Sequence, residues 1–176
     1  MNNNNGAIST SKPTGQFSQA VTLEDGYIWK FMFHVDENDR AKFLTSTHIP
    51  VKHNTELTYD SAQKTVKEAA IPGQIERIDV VSGGSGYTGT SELVVSGDGS
   101  NFAGTVTVSN GSVSGITVTN KGTGYTTLTA NVTNTNPSYV AATFKPQLAP
   151  QGGHGFNAVN ELGAFYTIIS VDLIGY

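Results

Sequence analysis

His154 has the surroundings best suited to chemistry in this chain of 176 residues. It lies in the run Gly152-Gly153-His154-Gly155, and Glu161 follows it closely. Glycines allow a backbone to approach a neighbour closely, and a carboxylate can accept a hydrogen bond from an imidazole ring. One interpretation is a hydrolytic pair or a metal site. The simpler and preferred one is a structural histidine that bridges loop carbonyls and fixes the return of the chain.

The other titratable candidates carry weaker signals. His48 and His53 share a loop with Glu56, which is loose spacing for a metal site. Asp98 lies between two glycines like part of a calcium loop, but such a loop needs several carboxylates. His34 falls on the polar face of an expected strand. Because no nucleophile has a local base motif and no phosphate loop is present, the sequence predicts no enzyme, no metal site and no cofactor.

Composition narrows the remaining classes. The net charge of −4 and the lack of a basic cluster argue against a nucleic-acid surface. The chain has no cysteine, which excludes disulfides and cysteine zinc sites. Four asparagines after Met1 do not make a signal peptide, and the apolar stretch 165–176 is too short to span a membrane. Low charged content (14%) with 20 glycines is typical of β-rich extracellular or virion proteins.

The middle of the chain repeats itself at a fixed offset of 38 residues. Residues 102–106 also match 140–144. A constant offset indicates a tandem duplication, with repeats at about 73–110 and 111–146. The matching residues are Gly73, Ile75, Ile78, Val80, Gly84, Gly86, Tyr87 and Thr88 in the first repeat, and Gly111, Val113, Ile116, Val118, Gly122, Gly124, Tyr125 and Thr126 in the second.

Each repeat is expected to form strands, since short Val-, Ile- and Thr-rich runs alternate with turn residues. In the first repeat we expect strands at 75–81, 92–96 and 102–109. Asn110-Gly111 predicts a type I′ hairpin turn that joins the repeats into one continuous sheet. The apolar spacing after Ile75, and again after Val113, departs from strict alternation and predicts a β-bulge at both places.

A Gly-x-Gly-Tyr-Thr segment ends the first strand of each repeat. Gly84, Gly86 and Tyr87 form one such corner, and Gly122, Gly124 and Tyr125 form the other. One hypothesis is that the two tyrosines stack on sugars. The preferred one is a structural corner whose tyrosine ring is buried, with the hydroxyl near water. No helix follows either corner, so neither is a nucleotide-binding fingerprint.

The flanking segments are expected to form one discontinuous domain. Residues 26–35 alternate as a strand with an aromatic face, and 164–174 alternate as an aliphatic strand. Asp36 should cap a helix over 37–44, and Asp60 or Ser61 a second helix reaching Ala70; residues 157–163 could hold one helical turn. The sequence thus predicts a mainly β fold: a discontinuous β-sandwich-like domain with two short helices, at 1–72 plus 147–176, and an inserted duplicated module at 73–146.

Two motifs of the flanking segments resemble a known family. Tyr27, Trp29 and Lys30 lie in the first motif, and Gly152-Gly153-His154-Gly155 is the second. In this order they resemble a baseplate wedge subunit of T-even-type contractile-tailed phages, as in marine relatives, where the two motifs flank an insertion. Family members are longer at both ends, so a fragment is expected.

The resemblance implies a dimeric β-sandwich scaffold that joins neighbouring wedge proteins and is not an enzyme. It implies a late structural protein, made in the host cytoplasm and located in the tail baseplate of the virion. Expected partners are other baseplate wedge proteins, with a second copy of the chain as the alternative, and neither nucleic acid nor a membrane. The alternative is a carbohydrate-binding or adhesion module that uses Tyr87 and Tyr125 as platforms. Exposure of the two rings separates these functions.

Overall fold

The computed structural model describes residues 7–52 and 61–171, and its fold is mainly β. The chain divides into two compact units, Met1–Ala70 with His154–Tyr176 as unit 1, and Ile71–Gly153 as unit 2. None of the helices seen in the described ranges has the length and apolar character that crossing a membrane requires. The elements are β1 (Val21–Thr22), β2 (Ile28–Trp29), α1 (Glu37–Phe43), α2 (Ser61–Glu68), β3 (Ile75–Ser82), β4 (Ser91–Gly97), β5 (Ser100–Ser109), β6 (Ser112–Thr123), β7 (Leu128–Asn134), β8 (Thr143–Leu148) and α3 (Ala158–Glu161).

Unit 2 consists of three antiparallel ladders, β3–β8, β4–β7 and β5–β6. The three strands expected for the first repeat are confirmed as β3, β4 and β5. Asn110 and Gly111 have φ values of 51° and 74°, so the hairpin turn with positive φ at both positions is confirmed. The expected single continuous sheet is wrong, because the turn joins only β5 to β6 and the other strands form separate pairs.

Two of these ladders have the same irregularities. In β3–β8 the register shifts by one residue at Glu76 and again at Val81, and in β6–β5 it shifts at Ser114 and at Thr119. The bulges predicted after Ile75 and after Val113 are therefore confirmed. Because a bulge bends its strand and increases the local twist, the two ladders bend at corresponding places.

Two hydrophobic clusters fill unit 2, and each contains one corner tyrosine. Tyr125 is buried with Ile75, Ile78 and Ala130. Tyr87 is buried in the other cluster, whose further members are Val113, Val132 and Ala142. Each cluster therefore combines side chains from both sequence repeats.

Unit 1 contains the helices. The Asp36 side chain accepts a hydrogen bond of 2.8 Å from the Asp39 N–H, so the predicted cap of α1 is confirmed, although α1 ends at Phe43. Lys52 Nζ lies 2.7 Å from the Asp36 carboxylate and 3.0 Å from that of Asp39, and ties the following segment to the start of the helix. Of the predicted second helix, the part from Ser61 to Glu68 is confirmed as α2, while Asp60 lies outside the described residues. The helical turn expected in 157–163 is confirmed as α3.

The two long strands expected in unit 1 are wrong as far as the described residues extend. The strand expected over 26–35 is reduced to Ile28–Trp29, which pairs with β1. Residues 164–171 form no strand, and Phe165 is 89% exposed. Alternation alone does not fix a strand, because its backbone groups need a partner strand. Unit 1 therefore shows one short ladder and no β-sandwich in 7–52 and 61–70 or in 154–171.

Candidate functional site

The segment from His154 to Glu161, which follows Gly152 and Gly153 at the end of unit 2, is the chemically most organised part of unit 1. The Asn157 side chain accepts a hydrogen bond of 3.1 Å from the Asn160 N–H and starts α3, whose last residue is Glu161. The single helical turn brings the Glu161 carboxylate back to the glycine-rich loop around His154. One oxygen contacts His154 Nδ1, and the other accepts the Gly155 N–H at 2.8 Å. The predicted partnership of His154 with Glu161 is thus confirmed.

Electrostatics favour an ionised Glu161. Burial alone would raise its pKa, but the hydrogen bonds from His154 and Gly155 outweigh that effect and hold the pKa below its ordinary value. Lys30 adds positive charge to the surroundings of Glu161. Burial lowers the pKa of Lys30, while the negative charge of Glu161 acts in the opposite direction. A carboxylate, an imidazole and an ammonium group are therefore coupled at this loop.

The glycines of the loop are needed because other atoms take the space of a side chain. Gly153 has a φ of 91°, and a Cβ there would lie 2.5 Å from the Ile71 carbonyl oxygen. Gly155 has a φ of 83°, and its Cβ would collide with Val66 Cγ1 and lie 3.2 Å from Lys30 Cε. The close approach expected from the Gly-Gly-His-Gly run is confirmed. The close approach packs the loop against neighbouring atoms of the chain and thereby fixes its position.

The motif of Tyr27, Trp29 and Lys30 holds the amino-terminal segment of unit 1. Lys30 Nζ donates to the Ser18 carbonyl, and the Tyr27 hydroxyl donates to the Ala7 carbonyl. Trp29 pairs with Val21 in the β1–β2 ladder. These three positions are spread along the segment they bind, so the motif acts as an anchor for it.

Asp25 is a structural centre that the sequence reasoning missed. One carboxylate oxygen accepts hydrogen bonds from the Ser9 hydroxyl at 2.6 Å and from the N–H groups of Thr10 and Ser11 at 2.9 Å each. The other accepts the Tyr27 N–H at 3.1 Å. The Asp25-Gly26 dipeptide is a turn signal, but no local pattern indicates that Asp25 binds residues 9–11, which lie far away in the sequence.

Of the weak metal candidates His48, His53 and Glu56, only His48 lies among the described residues. His48 is exposed, and its Nδ1 lies 2.9 Å from the Thr47 hydroxyl. His53 and Glu56 lie outside the described residues. No three His, Asp or Glu side chains come close enough to hold a metal ion anywhere in 7–52 or 61–171. Among the described residues, His48 therefore belongs to no group of side chains that could bind a metal ion.

Asp98 fixes a turn between β4 and β5. Its carboxylate accepts the N–H groups of Thr126 and Thr127 at 2.9 Å and 3.0 Å, and also the Thr126 hydroxyl. The Thr126 hydroxyl and these N–H groups hold the pKa of Asp98 well below its ordinary value. The likeness to a calcium loop is therefore misleading, because the carboxylate binds the second Gly-x-Gly-Tyr-Thr corner.

The two corners are reciprocal. The Tyr87 N–H donates to the Gly111 carbonyl at 3.0 Å, and the Tyr125 N–H donates to the Gly73 carbonyl at 3.2 Å. The rings are only 3% and 7% exposed, and the Tyr87 hydroxyl accepts the buried Ala142 N–H at 2.8 Å. The expected burial of both rings is confirmed, whereas a Tyr87 hydroxyl near water is wrong. Buried rings cannot stack on sugars, so the tyrosine platform is also wrong.

A shallow depression of unit 1 lies beside the glycine-rich loop. Its volume of about 80 Å³ is well below the roughly 300–1,000 Å³ of ligand pockets. It has room for a few water molecules and is too small for a sugar ring. The lining residues are Lys52, Gln63, Lys67, Gly155, Phe156, Asn157, Ala158 and Val159.

No known protein family, curated protein or solved structure is found to match the chain. The contacts in both units have one feature in common, which is that charged and aromatic side chains bind backbone groups of the same chain.

Proposed function

We propose that the chain is a structural component of a virion, a baseplate wedge protein of a contractile phage tail that acts through protein–protein contacts. The observation that carries the proposal is the exposed segment 164–171. Phe165 is 89% exposed and Tyr166 is 82% exposed; Ile169 and Val171 are also strongly exposed. A contiguous apolar surface of this kind typically marks an interaction site.

The occupant that best fits this segment is a strand edge of a neighbouring structural subunit. Residues 164–171 are rich in aromatic and β-branched side chains, which favour strands. They carry no charged side chain, and none of the described residues of unit 1 pairs with them in a ladder. Addition of a strand to an exposed sheet edge satisfies backbone groups and apolar side chains together. The proposed partners are other baseplate wedge proteins and, as a second possibility, another copy.

The remaining organisation suits a scaffold. We infer that residues 73–146 are a duplicated module inserted into a flanking domain of residues 1–72 plus 147–176. Support comes from the matched bulges of β3 and β6 and from the reciprocal hydrogen bonds of Tyr87 and Tyr125. The resemblance of the two flanking motifs to wedge subunits supports a location in the tail baseplate after synthesis in the host cytoplasm. The adhesion alternative loses its two tyrosine platforms because both rings are buried.

A binding experiment tests the scaffold role. The purified chain is mixed with candidate wedge proteins of the same phage tail, and co-elution is measured by size-exclusion chromatography. A Phe165→Ser/Ile169→Ser variant should lose co-elution. Ile8→Ser is the matched control, since Ile8 is 87% exposed in the same unit but lies outside the segment. Equal binding by the double variant and the control would refute a role for 164–171, and binding to none of the wedge proteins would refute the scaffold assignment.

A further inference from the structure

Every ladder of unit 2 contains one strand from each sequence repeat. The first repeat supplies β3, β4 and β5, and the second supplies β6, β7 and β8. The pairs are β3–β8, β4–β7 and β5–β6, so no ladder forms within a repeat. The two hydrophobic clusters are mixed in the same way. A single repeat therefore contains neither a complete ladder nor a complete core.

The arrangement has the pattern of two-fold symmetry. If the repeats are exchanged, β3–β8 becomes β6–β5, and β4–β7 becomes itself. The registers agree with this exchange along the whole ladder when the third strands are matched at 144 and 104, two residues away from the 38-residue offset of the sequence: Val80 pairs with Phe144, and the equivalent Val118 pairs with Gly104. Such a self-complementary contact, in which each partner offers the same surface to the other, defines a two-fold interface.

We propose that unit 2 is a fused dimer, in which each repeat is the binding partner of a second copy of itself. The peptide link at Asn110-Gly111 raises the effective concentration of one repeat for the other, and the ladders and clusters supply the association. This inference depends on the topology of unit 2 and is independent of the proposed role in a phage tail. It predicts that the two repeats remain associated through this surface after the chain between them is cut.

Two cleavable full-length chains test the proposal. One carries a specific protease site between Asn110 and Gly111, so that cutting leaves both repeats whole. The control carries the same site between Pro137 and Ser138, so that cutting separates β8 from the rest of the second repeat. Hydrogen exchange of the β3 amides is measured by mass spectrometry before and after cleavage of each chain. Unit 1 contains the segments at both ends of the chain, so it affects both experiments alike.

After the cut at 110/111, the protection factors of the β3 amides should fall by no more than about tenfold. After the control cut they should fall much further, because β8 must then rebind without the other strands of its repeat. Loss of protection after the 110/111 cut would overturn the proposal. Equal retention after both cuts would also overturn it, since the repeat would then not be the unit that associates.

Discussion

Gly84→Ala and Gly124→Ala form a matched pair of substitutions that separates backbone strain from steric exclusion in unit 2. Both glycines belong to the Gly-x-Gly-Tyr-Thr corners and have positive φ values, 62° and 77°. Their surroundings differ. A Cβ at Gly84 would collide with the Val140 carbonyl oxygen and lie 2.9 Å from the Ala142 nitrogen, whereas at Gly124 the nearest atom is Gly99 Cα at 4.0 Å.

The expected losses of unfolding free energy follow from these contacts. An alanine in the left-handed region costs about 1–2 kcal/mol, and Gly124→Ala should lose only this amount. Gly84→Ala carries the same strain plus a collision with backbone, which adds about 1–3 kcal/mol for an overpacked site. Its total is about 2–5 kcal/mol. The difference between the two variants reports the close approach of residues 140–142, which precede β8, to the first corner.

Urea unfolding followed by the near-ultraviolet circular dichroism of the tyrosines measures both losses. The free energies are compared at equal slope, so that a changed unfolded state is recognised. Gly84→Ser should behave like Gly84→Ala, because any Cβ meets the same carbonyl oxygen. An equal loss in Gly84→Ala and Gly124→Ala, or a larger loss in Gly124→Ala, would refute the argument from close approach.

Three further outcomes are expected. Tyr87→Phe should cost about 1–3 kcal/mol because it leaves a buried backbone N–H without its acceptor; Tyr125→Phe, whose hydroxyl makes no hydrogen bond to any described residue, should cost under about 0.5 kcal/mol, and equal urea midpoints would contradict this. Hydrogen bonds from Ser9 and its neighbours hold the pKa of Asp25 at about 2, below its ordinary 3.8, so the stability that the ionised carboxylate gives to the fold is present above pH 3.8 and is lost as the pH falls through 2. Asp25→Asn should flatten this dependence of stability on pH, measured as unfolding followed by tryptophan fluorescence. An unchanged pH profile in the variant would contradict the role of Asp25. Glu161→Gln should speed amide exchange in 152–156, because a neutral amide weakens the bonds to the loop; unaltered exchange would show that packing alone holds the loop.

Local signals were strong enough to predict much of unit 2. The hairpin turn requires positive φ at two positions, and Asn110-Gly111 is the dipeptide that tolerates it best. The bulges followed from a break in alternation after Ile75 and after Val113. The pairing of β3 with β8 could not be predicted in this way, because ladder partners far apart in sequence leave no local signal.

Unit 1 shows the opposite balance. The partnership of His154 with Glu161 lies within one short segment and could be predicted, whereas the approach of Lys30 joins distant parts of the chain. The pattern in 164–171 is that of a strand, but a pattern fixes only which faces are apolar. Whether the segment forms a ladder depends on a partner, and unit 1 supplies none among its described residues.

The third strand of each repeat shows why a sequence match can be correct in pattern and wrong in register. The match of 102–106 with 140–144 keeps the offset of 38 and makes Gly104 the equivalent of Ala142. In the ladders, however, Gly104 is equivalent to Phe144, which lies two residues further along the chain. A shift by two leaves every side chain on the same face of a strand, so alternation cannot distinguish the two offsets. The side chains then compensate. Phe102 Cζ would lie 3.1 Å from a Cβ on Gly104, so this ring covers the glycine at the position that Phe144 fills directly, and both phenylalanines pack on the same cluster.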